Sequence, residues 1–253
     1  FRNYLNEFSN GSFRLNAQFY LAECLNSAAG NKDEALNLYR EVIKTPNNQF
    51  LEQSLIAASS LLFDKEDFSA AYDYYEKLEN IASSPDIKLI ALRGELRSAY
   101  QEGDAQKSIN ASRKIKSSSN MPEELEREAT FIGAKAYYSL NQFDEALSDF
   151  RKAATEISSI EGAESKYRVA EILFMKGNTA ESEKVVTQFI DQNSPHQYWM
   201  AKMFLLLSDI SVKKGDKLQA RATLQSLKEY YTTTDDGILD DVNEKLASID
   251  SEN

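Results

Sequence analysis

The chain holds one cysteine, one histidine, one tryptophan, four prolines and nine glycines in 253 residues. The single Cys24 rules out an intrachain disulfide and leaves the redox compartment open. So few prolines and glycines are too few turn formers for an all-β protein of this length. No run of about 18 apolar residues occurs, the length a membrane-crossing helix requires. The longest apolar run, Met203 to Leu207, reads as a core helix segment. Positive charge is also scarce: 29 Lys and Arg against 40 Asp and Glu give a net charge of −11. Nucleic-acid binding draws on a basic surface that neutralises phosphates. The longest mixed basic run here is Arg113-Lys114-Ile115-Lys116, so DNA and RNA are excluded as main ligands.

What the chain does contain favours helices. Ala, Leu, Glu, Lys and Gln are abundant, and 42% of residues are hydrophobic, enough for a packed core. Thirteen Tyr and thirteen Phe supply large surfaces for packing one helix on another. Self-similarity then organises the sequence. Six small residues, Ala35, Ala71, Ser108, Ala146, Ser182 and Ala220, each open an apolar helix, at separations of 36, 37, 38, 36 and 38 residues. Five residues before them stand Gly30, Glu66, Gly103, Asn141, Gly177 and Gly215. All but Glu66 tolerate the left-handed conformation that ends a helix. Four residues before them stand Asn31, Asp67, Asp104, Gln142, Asn178 and Asp216, mostly good N-caps. Glu34, Glu145, Glu181 and Gln219 follow at the spacing of a capping box. Each unit therefore reads as helix, stop, start, helix, with a turn short enough to force an antiparallel hairpin.

Four residues after each small residue comes Tyr39, Tyr75, Ser112, Phe150, Val186 or Leu224, and three further on Val42, Leu78, Ile115, Ala153, Phe189 or Leu227. That spacing puts all three on one helical face. Pro85, Pro122 and Pro195 fall where the next hairpin begins, suited to a first helical turn, and Pro46 closes the first unit.

This pattern resembles the tetratricopeptide repeat, with its small, small, aromatic, small and Pro positions, over roughly residues 12–231. The fourth unit matches best, through Ala134, Tyr137, Phe143, Ala146, Phe150 and Ala153. The third matches least, with Leu96 where a small residue is usual, and the first carries one extra residue before Gly30. The units are longer than the family's usual length of about 34 residues. The resemblance implies an all-α fold, a right-handed α-α superhelix of about six helix hairpins and a C-terminal capping helix. Residues 1–9 read as the end of a preceding repeat helix, since Phe1, Tyr4, Leu5 and Phe8 follow helical spacing. The hairpins fall at about 10–46, 47–83, 84–120, 121–158, 159–193 and 194–231, with the capping helix and tail at 232–253. The cap has its stripe at Ile238, Leu239, Val242, Leu246 and Ile249. An apolar start without Met reads as a piece of a longer precursor with further repeats upstream. The first segment, Tyr4 to Leu25, is similar to periplasmic tetratricopeptide proteins of bacteria. That implies a periplasmic or outer-membrane-associated, cell-envelope protein, with the cytoplasm as the alternative and membrane anchoring of the precursor compatible with either.

Catalysis needs convergent titratable groups. Cys24 falls in the first unit and His196 in the sixth, and in a repeat stack each unit touches only its neighbours. Cys24 reads as a small core residue and His196 as a surface residue of a helix's first turn. No phosphate-binding loop, dinucleotide fingerprint or zinc spacing appears. Asp235, Asp236, Asp240 and Asp241 fail the EF-hand spacing and read as capping and a solvated face. Glu123, Glu124, Glu126 and Glu128 suit the start of a helix. Neither enzyme, cofactor nor metal is expected.

In tetratricopeptide arrays the first helix of each hairpin lines the inner groove, where ligands commonly lie. Counting back from the small residues projects Phe63, Tyr100, Tyr138 and Phe174 onto that groove. Arg97, Lys135 and Glu171 lie three residues earlier, and Arg93 one turn from Arg97. Arg93, Arg97 and Lys135 would form a basic spot beside tyrosines, fit for a carboxylate or an acidic peptide. The plainer alternative has the aromatics packing on neighbouring helices and the cations pairing with Glu128, Glu164 or Glu171. The family's carboxylate clamp for chaperone tails does not carry over, because the matching positions are Phe19, Glu23, Ile56 and Ser60. The expected function is a protein-interaction scaffold holding a peptide or partner subunit. The rival reading is glycan or peptidoglycan binding, with Tyr100, Tyr138 and Phe174 stacking on sugars.

Overall fold

The fold is given by a computed structural model that describes residues 1–27 and 30–251. The residues just before Gly30 and the last two of the C-terminal tail lie outside them. Among the described residues there are fourteen helices and no strand. The chain divides into two compact units, Phe1–Ala136 and Tyr137–Asn253. The first holds α1 (Arg2–Glu7), α2 (Arg14–Leu25), α3 (Lys32–Ile43), α4 (Leu51–Asp64), α5 (Phe68–Ile81), α6 (Pro85–Glu102), α7 (Ala105–Ser117) and most of α8 (Glu123–Ser139). The second holds the end of α8, then α9 (Phe143–Ala153), α10 (Ile160–Met175), α11 (Thr179–Asp191), α12 (Gln197–Lys213), α13 (Lys217–Tyr230) and α14 (Ile238–Ser251). Successive helices pack on one another from α1 to α7 and from α9 to α14, and α4 also touches α6, α10 touches α12, and α14 touches both α12 and α13.

The turns follow from their residues. Gly103, Gly177 and Gly215 have φ of +77°, +81° and +83°, and Asn141 +58°. Glu66, which the sequence sets apart, takes the same left-handed conformation at φ +60°, at a cost of about 1–2 kcal/mol for a residue with a Cβ. Gly30 is needed for its lack of a Cβ. A Cβ there would sit 2.0 Å from the carbonyl oxygen of Leu25. The side chains of Asn31, Asp67, Asp104 and Asp216 accept hydrogen bonds from the backbone N–H three residues on, capping α3, α5, α7 and α13. Gln142 and Asn178 make no such bond. The reciprocal half of the capping boxes gives way to other partners. Glu34 accepts from Arg2, Glu181 accepts from Arg151, and Gln219 donates to Thr223. Pro85 opens α6, but Pro122 and Pro195 stand outside the helices they precede, before Glu123 and before His196, the N-cap of α12.

The small residues do what their spacing implies. Ala35, Ala71, Ala146, Ser182 and Ala220 are fully buried, as are Tyr39, Phe150, Val186 and Leu224 one turn on. Each large side chain buried this way contributes about 1.5–3 kcal/mol. A hydroxyl at such a position needs a partner, and Ser182 finds one by donating to the Ala170 carbonyl of α10 at 2.7 Å. In the third hairpin Leu96 is buried among Leu92, Ala111, Ile115 and Leu125. The close approach there is made by Gly94, over which the Tyr75 ring lies. On α14, Ile238, Val242 and Ile249 close over Ala201, Leu205, Ala220 and Leu224. Asp236 accepts from the Ile238 N–H at the start of that helix, and Asp241 pairs with Lys202.

Candidate functional site

The seven residues picked out by register are divided between the two units. In the first, Arg93, Arg97 and Tyr100 form one stripe of α6, continued by the exposed Ile90. Arg97 grips Glu128 of α8 with two hydrogen bonds, at 2.6 and 3.1 Å. That bond is the main reason its pKa is raised above the ordinary arginine value. Lys135, on α8, places its ammonium over the Tyr100 and Phe131 rings at 5.5 and 5.3 Å. Phe63 lies half-buried at the end of α4, edge-on to Phe68. Arg93 differs from the others: among the described residues no hydrogen bond or ion pair meets its guanidinium, and its Nε is buried without an acceptor.

In the second unit Tyr138 and Phe174 are half-buried. Tyr138 belongs to a network that register counting only grazed. Glu171 of α10 accepts from the Tyr138 and Tyr167 hydroxyls, each at 2.8 Å, and from Arg168 at 2.6 Å. The Arg168 guanidinium lies over both rings, at 4.8 and 5.4 Å. Burial first, then Glu171, pushes the phenols of Tyr138 and Tyr167 upward, so both stay protonated donors. Burial works against the Arg168 charge, but Glu171 outweighs it and holds that group raised. Trp199 packs on Tyr167 at 5.5 Å, and Lys202 reaches over the same ring. Phe174 carries Lys213 at 4.8 Å. Tyr100, Tyr138 and Phe174 therefore each have a cation against the ring.

A second polar cluster, hidden from the sequence reading, lies where α5, α6 and α7 meet. Lys114 donates to Glu79 at 2.7 Å and to Glu95 at 2.8 Å. The Glu95 side chain is 0% exposed and its Oε1 has no partner. Burial lifts its pKa to about 7 against the pull of Lys114.

The two residues with nucleophilic or acid–base chemistry stand apart from these clusters. Cys24, expected in the core, is exposed. On α2 the buried face runs through Phe19 and Ala22, and a residue two beyond Ala22 has turned to the opposite side. His196 is half-buried, and its Nε2 hydrogen-bonds the Ser158 carbonyl at 2.8 Å. Among the described residues no three His, Cys, Asp or Glu side chains converge as a metal-binding set, and no helix is long and apolar enough to cross a membrane.

Paired helices, buried small residues and left-handed turns are features that known proteins share. Residues 16–48 match the family model described as tetratricopeptide repeat. The tetratricopeptide repeat protein YrrB, described as having an unusual peptide-binding site, superposes with a TM-score of 0.58 at 15% identity, covering 81% of this chain and 97% of that one. The chain folds as a tetratricopeptide repeat protein. BtubC from P. vanneervenii gives a TM-score of 0.52 at 14% identity, covering 87% of this chain and 94% of that one. A tetratricopeptide repeat protein from Parabacteroides merdae gives 0.50 at 14%, covering 93% and 98%. No curated protein matches the chain. The tetratricopeptide fold accounts for the α2–α3 hairpin within the matched segment. It assigns no role to the ionic clusters on α6, α8 and α10.

Proposed function

We propose that this tetratricopeptide repeat protein is a non-catalytic scaffold that holds an acidic peptide or partner subunit on the α6–α8 face of its first unit. The observation that carries the reading is the Arg93 guanidinium. Its Nε is shielded, but the side chain is only half-buried and no carboxylate pairs with it among the described residues, so the charge can take an incoming carboxylate. Arg97 and Tyr100 continue the same stripe, and the exposed Ile90 offers an apolar neighbour one turn before Arg93. Such a face suits an acidic side chain followed by an apolar one. YrrB, whose fold this chain shares, is described as binding a peptide, which supports the same use of the fold here. Stacking on sugars finds less support, because each of the rings named for it already carries a cation. Placement in a bacterial cell envelope, implied by the resemblance of the first segment, belongs to this proposal.

Selection of a random twelve-residue peptide library on the whole chain tests it. The expected pool is enriched in Asp or Glu beside apolar residues, binds more weakly at high salt, and is lost with Arg93→Met. A pool without acidic residues, or one that Arg93→Met retains in full, overturns the assignment.

A further inference from the structure

We infer that a groove on the last hairpin is a second docking site, built to take an uncharged amphipathic helix of a partner protein. The groove has a volume of about 990 Å³ and lies between α12 and α13, with the α11–α12 turn at one end. None of its sixteen lining residues is charged, in a chain where 27% of residues are Asp, Glu, Lys or Arg. Its walls carry two ridges at helical spacing. Met200, Phe204 and Leu207 stand at i, i+4 and i+7 on α12, and Thr223, Leu227 and Tyr230 stand at the same spacing on α13. Two such ridges leave between them the furrow into which a third helix packs. From Gln197 to Leu207 the wall rises about 15 Å, the length of roughly three helical turns. Tyr230 stands 74% exposed at the mouth, an aromatic surface for the edge of an arriving helix.

Comparison within the chain shows that this opening is not what the repeat must produce. Counted from the small residues Ser108 and Ala220, Leu207 takes the position of Glu95, and Ser226 that of Lys114. In the first unit that position is closed by the Glu95–Lys114–Glu79 bonds. In the last hairpin the same position is apolar and short-chained, and the space stands open. A charged occupant would lose water there and gain no partner, which selects an uncharged one. The site lies in the other unit from Arg93 and relies on burial rather than charge, so either can fail without the other.

The test uses the whole chain and a fluorescein-labelled fourteen-residue helical peptide of Ala, Gln and Ser with Leu at i, i+4, i+7 and i+11. Saturable binding that is unchanged between low and high salt is expected. Ser226→Glu and Ala222→Glu alter exposed groove residues and should each weaken it about tenfold or more, since a desolvated charge there has no partner, with the helical circular dichroism intact. Arg93→Met should leave it unchanged. The inference is overturned by no binding, by equal binding of a peptide carrying Lys and Glu among its anchor positions, by indifference to both groove variants, or by preferential binding of maltoheptaose.

Discussion

Replacing Lys114 with Met should destabilise the protein in a strongly pH-dependent way. Lys114 holds Glu95, which has no solvent exposure and one oxygen without a partner. Burial raises the Glu95 carboxyl from 4.5 to about 7. Between those values the folded chain keeps a proton that the unfolded chain has released, so stability falls as the pH rises through that window, by about 3 kcal/mol in all. Glu79 is held below its ordinary value by Lys114, against burial, and its contribution is lost only as pH falls below that window. Lys114 is raised by the two carboxylates, against burial, so its contribution is present across the window and is lost only above the ordinary lysine range. At pH 8.5 the substitution leaves a buried carboxylate uncompensated, a loss of about 3 kcal/mol. At pH 5 Glu95 is already protonated, and the loss is about 1 kcal/mol from the partly exposed bond to Glu79. With a urea slope of about 3 kcal/mol/M, the midpoint followed by circular dichroism drops about 1 M at pH 8.5 and about 0.3 M at pH 5. Glu95→Gln should flatten the pH dependence of the otherwise unaltered chain. Equal midpoint shifts for Lys114→Met at both pH values would refute the reasoning.

Gly94→Ala places a Cβ 2.4 Å from the Tyr75 ring. Such overpacking should cost about 1–3 kcal/mol in urea unfolding, and a change below experimental error would mean that α5 and α6 can separate freely. Glu66→Gly removes left-handed strain that outweighs the added freedom of the unfolded chain by about 0.5–1 kcal/mol. The thermal midpoint should rise by about 1–3 °C, and a fall would show that the Glu66 side chain makes a contact worth more than its strain.

The hairpins were legible because their determinants are local and repeated. A small residue, a left-handed stop and a cap recur at fixed distances, and each acts within one or two turns of the chain. Glu66 shows the limit of reading residue types one at a time: the demand of the turn overrides the preference of its occupant, and only the register reveals the demand. Cys24 failed for the converse reason. The apolar neighbours of Cys24 suggest a core position, whereas α2 buries one face and Cys24 lies on the other.

The Lys114 cluster was harder to see because it joins side chains 19 and 35 residues apart on three helices, whereas Glu128, named in the plainer alternative, does pair with Arg97. Yet the register held part of the answer. Thirteen residues before the small residues stand Ala22, Ala58, Glu95, Gly133, Val169 and Leu207. Five of the six are apolar or small, so the one carboxylate marks a place where burial must be answered by a cation. Lys114, six residues after Ser108, is that cation. Repeat proteins thus allow an inference that a single domain does not: a column compares one site with itself several times, and the exception marks where the chain departs from packing alone. Leu207 is the same column read in the opposite sense. There the chain keeps the apolar residue and puts Ser226 where the cation stood, which leaves an uncharged groove. If filling that position is what closes the groove, Ser226→Leu should abolish uptake of the helical probe while raising stability.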